Sequence, residues 1–267
     1  MKRKSLIALY VIGLLLLLGV KYMYHMAGSA ELDFILAPTA RWVTFLSGIP
    51  FVRQTDIGYI NNNLRFIIAP ACSGVQFMLI SFAALFLPFV HRIKSVAGKF
   101  GWLAGSAAFA YPFTIFVNGF RIVLAIYVPG YLYKWGIYAD WLTAERLHTI
   151  IGTVVYVAAL LAVYPPASLV SVKISRASSA MNETLFMKMV YRFMPPLLCY
   201  FAVALGIPFL YNARQNDFPK FLEYAALITA VCLVLLSAYC AAFAIRERLK
   251  RIRNKHAGFL WFSCKTR

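Results

Sequence analysis

Three short segments of the chain carry side chains that could do chemistry. They are Pro70-Ala71-Cys72-Ser73-Gly74, Asn118-Gly119-Phe120-Arg121 and the run from His148 to Gly152. Together they offer a thiol, a permanently charged guanidinium and an imidazole that exchanges protons near neutral pH. Amide cleavage needs a nucleophile, a group that stabilises the oxyanion and a group that transfers protons. The three segments therefore fit amide cleavage, provided that the fold brings them together.

Each of the three segments lies in or beside a long apolar run, toward its outer end. An arginine at the middle of a membrane helix costs about 2.5–3.5 kcal/mol on insertion scales, so such a residue needs a reason to be there. Counted from the ends of the apolar runs, Cys72, Arg121 and His148 each lie within about 10 Å of the same boundary, at about 1.5 Å per residue. Equal depth permits the three side chains to meet.

The residues next to Cys72 suggest how the thiol is positioned. Pro70 is typical of the first turn of a helix, and this predicts that Cys72 lies within that first turn. Unpaired backbone N–H groups and the positive end of the helix dipole favour a thiolate there. Gly74 permits the close approach of another chain. A lone cysteine in a membrane helix is more often structural, so Cys72 in isolation is a weak signal.

Arg121 and His148 each have one neighbour on the same helical face. Asn118 precedes Arg121 by three residues and could hydrogen-bond the guanidinium or a substrate carbonyl. Gly152 follows His148 by four residues and would let another helix pack close to the imidazole. An arginine that extends to the interface and a structural histidine are the simpler explanations of each residue alone. Their occurrence together at one depth favours a shared site.

The composition is that of a membrane protein. Of 267 residues, 62% are hydrophobic and 13% are charged, and the mean hydropathy is +0.72. The excess of apolar residues falls in runs of about 20, the length that an α-helix needs to cross a bilayer. The net charge of +18 fits lysines and arginines that set membrane topology and contact anionic lipid, and we expect no nucleic-acid partner.

The runs predict an all-α polytopic bundle of about six transmembrane helices. The predicted spans are residues 5–20, 66–90, 101–128, 146–164, 193–211 and 222–245. Residues 101–128 could also form two short spans with a loop at 118–121. A single crossing puts eighteen lysines and arginines in cytoplasmic segments and seven outside, which satisfies the positive-inside rule, and it places both termini in the cytoplasm.

These spans divide the chain into segments with different expected roles. The first span, 1–24, resembles a signal peptide, although we expect it to be retained. The other predicted segments are an external interfacial piece at 25–64, core spans at 65–164, a cytoplasmic linker at 165–192, two spans at 193–245 and a basic tail at 246–267. The tail is expected to bind anionic lipid in the cytoplasm.

The five cysteines form neither a CxxC pair nor a zinc-binding pattern. The sequence also lacks the HExxH motif of zinc proteases, and a thiol-oxidising membrane enzyme would want a pair of cysteines. We therefore expect no metal and no cofactor.

As a set, Ala71-Cys72-Ser73-Gly74, Asn118-x-x-Arg121 and His148-x-x-x-Gly152 resemble the motifs of the exosortase/archaeosortase family in order and in membrane placement. The resemblance covers about residues 65–165. It implies a membrane-embedded cysteine transpeptidase in the cytoplasmic membrane with its site toward the outer face. Cys72 takes the position of the nucleophile, Arg121 that of the family arginine and His148 the third position.

The same resemblance implies the substrates and partners. Family members act on exported proteins that end in a short motif such as Pro-Glu-Pro, a membrane helix and a basic cluster. They cleave near the motif through a thioester and pass the new C-terminus to a surface acceptor. The sequence leaves open which motif is recognised, whether the acceptor is an amine or water, and how Arg121 and His148 divide their roles.

Two other functions remain open from the residues alone. A transporter or lipid-binding protein could use Arg121 and Asn118 to line a polar cavity, and Cys72 would then be dispensable. A rhomboid-like serine protease would use Ser73 with His148, although the segment lacks the first glycine of the usual GxSG pattern.

Overall fold

The computed structural model of the protein describes residues 2–136, 141–175, 185–212 and 218–265. Eight α-helices and one small sheet make up these ranges. In chain order they are α1 (Lys2–Met26), α2 (Asp33–Ser47), β1 (Val52–Gln54), β2 (Gly58–Asn61), β3 (Phe66–Ile68), α3 (Val75–Phe86), α4 (Val96–Lys134), α5 (Ala144–Ser175), α6 (Leu185–Phe201), α7 (Ile207–Asn212) and α8 (Phe218–Lys265). Short 3₁₀ turns at Pro70–Cys72 and Val90–Arg92 flank α3, and a π-helical turn at Ala202–Gly206 joins α6 to α7.

The helices confirm the predicted all-α polytopic bundle. Five helical segments are long and apolar enough to cross a membrane: Ser5–Met26, Pro70–Arg92, Val96–Lys134, Ala144–Val172 and Phe218–Arg246. A shorter apolar stretch, Phe193–Phe209, accounts for the predicted fifth span. Helix α4 runs unbroken through residues 118–121, as the single-crossing interpretation requires.

Helix α3 lies at the centre of the bundle. Ten of its twelve residues are buried, and it packs against α1, α4, α5 and α6. Phe77 and Ile80 belong to a core cluster that also includes Val157 of α5 and Leu197 of α6. Because α3 is surrounded, its N-terminal end and the turn before it are held in place by several neighbouring helices.

Residues 25–64, and residues 66–68 at the start of the predicted span 66–90, contain regular structure that the sequence did not predict. Helix α2 packs along α4, and the strands form an antiparallel sheet in the order β1-β2-β3. Each strand has only three or four residues, too few to show the alternation of apolar and polar side chains by which a strand is recognised. The sheet leads directly into the turn that carries Cys72.

Asp33 at the start of α2 connects that helix to the sheet. Its Oδ1 accepts a hydrogen bond of 2.9 Å from the Tyr59 hydroxyl, and its Oδ2 lies 3.5 Å from Nη1 of Arg53. Burial, followed by the bond to Asp33, raises the pKa of the Tyr59 phenol, so the phenol remains the donor throughout the physiological pH range. The sheet is thereby anchored to α2.

Helix α5 continues beyond the point where the sequence predicted a linker. The prediction placed the end of this span at Pro165-Pro166, whereas the helix runs on to Ser175. Arg92 donates to Ser168 over 3.4 Å and Ser171 is fully buried, so packing outweighs the local effect of the prolines. Residues 176–184 of the predicted linker lie outside the described residues.

Gly119 sets the distance between α2 and α4. A Cβ at this position would lie 2.2 Å from Cδ1 of Trp42. The indole of Trp42 is held in place because its Nε1 donates to the carbonyl of Phe116 over 3.2 Å and its ring stacks on Phe116 and Phe45. Only glycine fits this contact.

We expect Gly119→Ala to destabilise the protein by about 1–3 kcal/mol, because the added methyl group must displace the packed indole. Gly105→Ala is the matched control, since Gly105 lies in the same helix and a Cβ there meets nothing within 4 Å. Thermal unfolding of the purified protein in detergent should show a lower midpoint for Gly119→Ala alone. Equal midpoints for the two variants would contradict this account.

Candidate active site

The sequence predicted that Cys72 lies in the first turn of a helix. The structure instead places it in a separate turn before α3. Residues Pro70–Cys72 form a separate 3₁₀ turn, and α3 begins only at Val75. The cause is Gly74, whose φ of +78° lies in the left-handed region and interrupts the helical backbone. The thiol therefore sits on a tight connection between strand β3 and helix α3, and it is half-buried.

The close approach predicted at Gly74 is made by a side chain of α4. A Cβ at position 74 would lie 2.9 Å from Cγ of Asn118. At this distance Nδ2 of Asn118 donates a 2.6 Å hydrogen bond to the carbonyl of Cys72. The Asn118 side chain is fully buried. It fixes the backbone of the cysteine turn relative to α4.

Arg121 is buried in α4, with 6% of its surface exposed. Its Nη1 donates 3.0 Å hydrogen bonds to Oδ1 of Asn118 and to the Tyr156 hydroxyl, and its Nη2 is hydrogen-bonded to Nε2 of His148. Asn118, which accepts from Arg121, donates to the carbonyl of Cys72 and so links the guanidinium to the cysteine turn. The structure thus brings His148 and the turn that carries Cys72 close to Arg121.

The contact between Arg121 and His148 determines the charge of the imidazole. A guanidinium carries only donors and does not lose its proton in proteins. Nε2 of His148 must therefore be the acceptor, with no hydrogen of its own. A hydrogen on Nε2 would place two donors against each other, and in the imidazolium it would also place two positive charges in direct contact. His148 is accordingly neutral in this arrangement, with its proton on Nδ1.

Tyr156 is a member of the site that the sequence analysis missed. Its hydroxyl accepts from Arg121 and donates a 2.8 Å hydrogen bond to Oδ1 of Asn118, so the three side chains close a ring. Its aromatic ring stacks on Phe77 with a centroid distance of 4.3 Å. The spacing offered a signal, because His148, Gly152 and Tyr156 follow one another at intervals of four and so share one face of α5.

Gly152 and Ser73 have roles that differ from those expected. Gly152 faces the side chain of Arg121 rather than the backbone of another helix, and a Cβ at position 152 would make an ordinary 3.5 Å contact with Nε of Arg121. Ser73 is fully buried, and its Oγ accepts a 3.5 Å hydrogen bond from the amide of Val75. In the described part of the chain, Ser73 makes no hydrogen bond with His148, which argues against a serine nucleophile at this position.

A cavity of about 310 Å³ opens beside these residues. Arg121, His148 and Tyr156 line it, as do Ala71 and Gly74, which flank Cys72 on either side. The remaining lining residues are Tyr24, Gln76, Phe77, Ile80, Glu145, Thr149, Gly152, Thr153, Tyr200, Ala204 and Tyr224. Within the described ranges, no cluster of three or more His, Cys, Asp and Glu side chains has the arrangement of a metal site.

An ion pair between α5 and α8 lies at the rim of the cavity, next to the lining residues Glu145 and Tyr224. Nε of Arg146 in α5 donates a 2.8 Å hydrogen bond to Oε1 of Glu223 in α8. Glu223 precedes Tyr224, one of the lining residues. The pair therefore holds α8 against α5 where both helices border the cavity.

Comparison with known families identifies the arrangement. The family model of the transmembrane exosortases (Exosortase_EpsH) matches residues 1–165. The chain belongs to the transmembrane exosortase family. Searches of curated proteins and of solved structures found no match.

The exosortase match includes every residue that surrounds the guanidinium. Cys72, Asn118, Arg121, His148 and Tyr156 all lie within residues 1–165. Helices α6 and α8 lie outside it, although each contributes a tyrosine to the cavity wall. The exosortase region therefore supplies the whole hydrogen-bonded cluster.

We expect Tyr156→Phe to lower the stability of this exosortase by about 1–2 kcal/mol, because it leaves Asn118 and Arg121 with fewer partners while the ring still stacks on Phe77. Tyr164→Phe is a matched control on the same helix, since the Tyr164 hydroxyl is buried without a hydrogen-bond partner among the described residues. The measurement is thermal unfolding in detergent. The account fails if Tyr164→Phe is the more destabilising of the two.

Proposed function

We propose that this exosortase is a cysteine transpeptidase whose nucleophile is the thiol of Cys72. The carrying observation is that one buried guanidinium, Arg121, is hydrogen-bonded to His148 and, through Asn118, to the backbone of Cys72 beside a cavity. Membership of the exosortase family supports a transpeptidase-like role. The proposed substrates are exported proteins with a C-terminal sorting tail made of a short motif such as Pro-Glu-Pro, a membrane helix and a basic cluster.

The first half-reaction forms a thioester. The substrate carbonyl oxygen accepts a hydrogen bond from Nη2 of Arg121, which leaves Nε2 of His148 free to take the proton of the Cys72 thiol. The sulfur attacks the carbonyl carbon, and Arg121 stabilises the oxyanion. When the C–N bond breaks, His148 gives the proton to the departing amine. The tail leaves with a new N-terminus, and the exported protein is bound to Cys72 through its new C-terminus.

The second half-reaction regenerates the enzyme. An acceptor amine attacks the thioester and passes a proton to Nε2 of His148, and the C–S bond then breaks. The proton returns to the sulfur, and the exported protein is joined to the acceptor by an amide. Water in place of the amine would give hydrolysis instead.

The expected orientation of the protein fits this chemistry. We propose that it lies in the cytoplasmic membrane with Cys72 toward the outer face, where both the exported protein and a surface acceptor have access. Both termini are then cytoplasmic, and the basic residues after position 245 contact anionic lipid. The excess of lysine and arginine in the segments assigned to the cytoplasm supports this orientation.

A membrane transporter or lipid-binding protein is the alternative. It is favoured by one observation, the buried cation of Arg121 on the wall of a cavity. It gives Cys72 no role, so the two functions differ in what a cysteine variant does.

We expect Cys72→Ala, introduced into the chromosomal gene of the source organism, to abolish removal of sorting tails. The reason is that no thioester can form without the thiol. Mass spectrometry of the C-termini of exported proteins would show intact precursors in this strain. Cys199→Ala is the control, because Cys199 lies in α6 and packs against the hydrophobic core cluster that includes Phe77 and Val157. Unchanged C-termini in the Cys72→Ala strain, with the variant present in the membrane, would favour the transporter.

We expect Arg121→Lys to slow tail removal by about 10²-fold or more, since the flat fork of arginine serves several partners that one ammonium group cannot reach together. Arg146→Lys is the control on the rim, where the arginine is partly exposed and pairs with Glu223. The rate of precursor conversion in pulse-labelled cells measures the effect. Equal rates in the two variants would remove Arg121 from the proposed mechanism.

A further inference from the structure

Strand β3 is an edge of the small sheet, and it is the edge nearest in sequence to Cys72. The strand order is β1-β2-β3, so β2 covers one side of β3 and leaves the other open. The backbone of an edge strand offers a row of N–H and C=O groups to which another extended chain can pair.

The register shows which residue of β3 presents its backbone outward. Ile68 pairs with Tyr59, and its carbonyl oxygen would lie 2.4 Å from a Cβ on the neighbouring Gly58. This carbonyl therefore points toward β2. Because the polar groups of successive residues in a strand face opposite sides, the N–H and C=O of Ile67 point to the open edge.

The open edge is accessible at Ile67. The side chain of Ile67 is 41% exposed. Within the described ranges, no hydrogen bond from outside the sheet reaches its backbone. One donor and one acceptor are thus directed away from the sheet, in the arrangement that a peptide backbone pairs with in an antiparallel ladder.

This edge leads to the proposed nucleophile. Ala69 continues the extended backbone, with φ of −84° and ψ of 170°, and the 3₁₀ turn at Pro70–Cys72 follows at once. The backbone between Ile67 and Cys72 consists of two extended residues and one such turn. The distance between the two residues is therefore at most about 13 Å. Ala71, within that turn, lines the cavity. A chain paired along Ile67 has its neighbouring residues within reach of the thiol.

We propose that an extended segment of the substrate polypeptide pairs with β3 as a fourth strand, through the backbone N–H and C=O of Ile67. The proposal rests on the proposed transpeptidase function and names how that site holds its substrate. Backbone pairing presents the scissile amide in an extended form and is indifferent to most side chains. One enzyme can in this way accept many exported proteins that share only a short motif.

The test compares Ile67→Pro with Ile67→Ala in the source organism. Proline is tolerated at an edge position whose N–H faces away from the sheet, so Ile67→Pro removes the outward donor and leaves the β2–β3 ladder in place. Ile67→Ala removes the side chain and keeps the donor. We expect Ile67→Pro to raise the ratio of precursor to processed protein about fivefold or more, and Ile67→Ala to remain near wild type.

The outcomes separate this proposal from the transpeptidase function itself. If Cys72→Ala abolishes processing while Ile67→Pro processes at the wild-type rate, the strand pairing is wrong and the enzyme assignment stands. Equal losses in Ile67→Pro and Ile67→Ala would also overturn the pairing, because the side chain would then be responsible. If Cys72→Ala processes normally, the function fails and the pairing fails with it.

A cross-linking measurement covers the case in which Ile67→Pro does not accumulate in the membrane. The photoreactive residue p-benzoylphenylalanine replaces Ile67 in a Cys72→Ala background, where precursors are not consumed. The control carries it at Val52 in β1, an exposed position on the opposite edge of the sheet. Mass spectrometry should identify tail-bearing precursors attached at position 67 and not at position 52. Equal or absent capture at position 67 overturns the proposal.

Discussion

The positive charge of Arg121, buried within a bundle of apolar helices, governs the architecture of the site. The guanidinium of Arg121 cannot lose its proton, and its N–H donors need acceptors where water is scarce. Asn118 and Tyr156 each supply an oxygen, and His148 supplies a nitrogen. These partners come from α4 and α5, and Asn118 extends the network to the backbone of Cys72. The hydrogen bonds that this guanidinium requires therefore hold α4, α5 and the turn before α3 in position relative to one another.

The hydrogen bond between Arg121 and His148 also determines when the site can react. With Nη2 of Arg121 hydrogen-bonded to His148, the imidazole is neutral and its Nε2 is occupied. Neither group is available for chemistry until an oxygen atom of comparable acceptor strength takes the guanidinium. A substrate carbonyl provides such an oxygen. The mechanism proposed above thus keeps the base inactive until a substrate has arrived, and this would protect the thiol from acting on unrelated chains.

The parts of the structure that the sequence could predict are those that depend on hydropathy and helical period. The spans follow from run lengths and the continuity of α4 from the charge distribution, and equal depth permitted the convergence of Arg121 with His148 without requiring it. The separate turn at Pro70–Cys72 could not be predicted from the sequence, because the left-handed backbone of Gly74 depends on the close contact with Asn118 of another helix. Tyr156 was missed because a tyrosine in an apolar helix is usually core. The three strands are too short to show an alternating pattern in the sequence. Helix α5 continues beyond its two prolines because of packing around Ser171, which the sequence does not show.

The cavity wall combines two parts of the chain that differ in their relation to the family. The hydrogen-bonded cluster lies within the matched residues 1–165, whereas Tyr200 of α6 and Tyr224 of α8 face the same cavity from beyond them. Substitutions in α6 and α8 can widen, narrow or polarise the cavity while the cation and its partners stay unchanged. Under the proposed function, such a division would let substrate preference change through α6 and α8 at little risk to the reaction. Helices α6 and α8 are in this sense the variable part of the cavity wall, and the hydrogen-bonded cluster around Arg121 is the constant part.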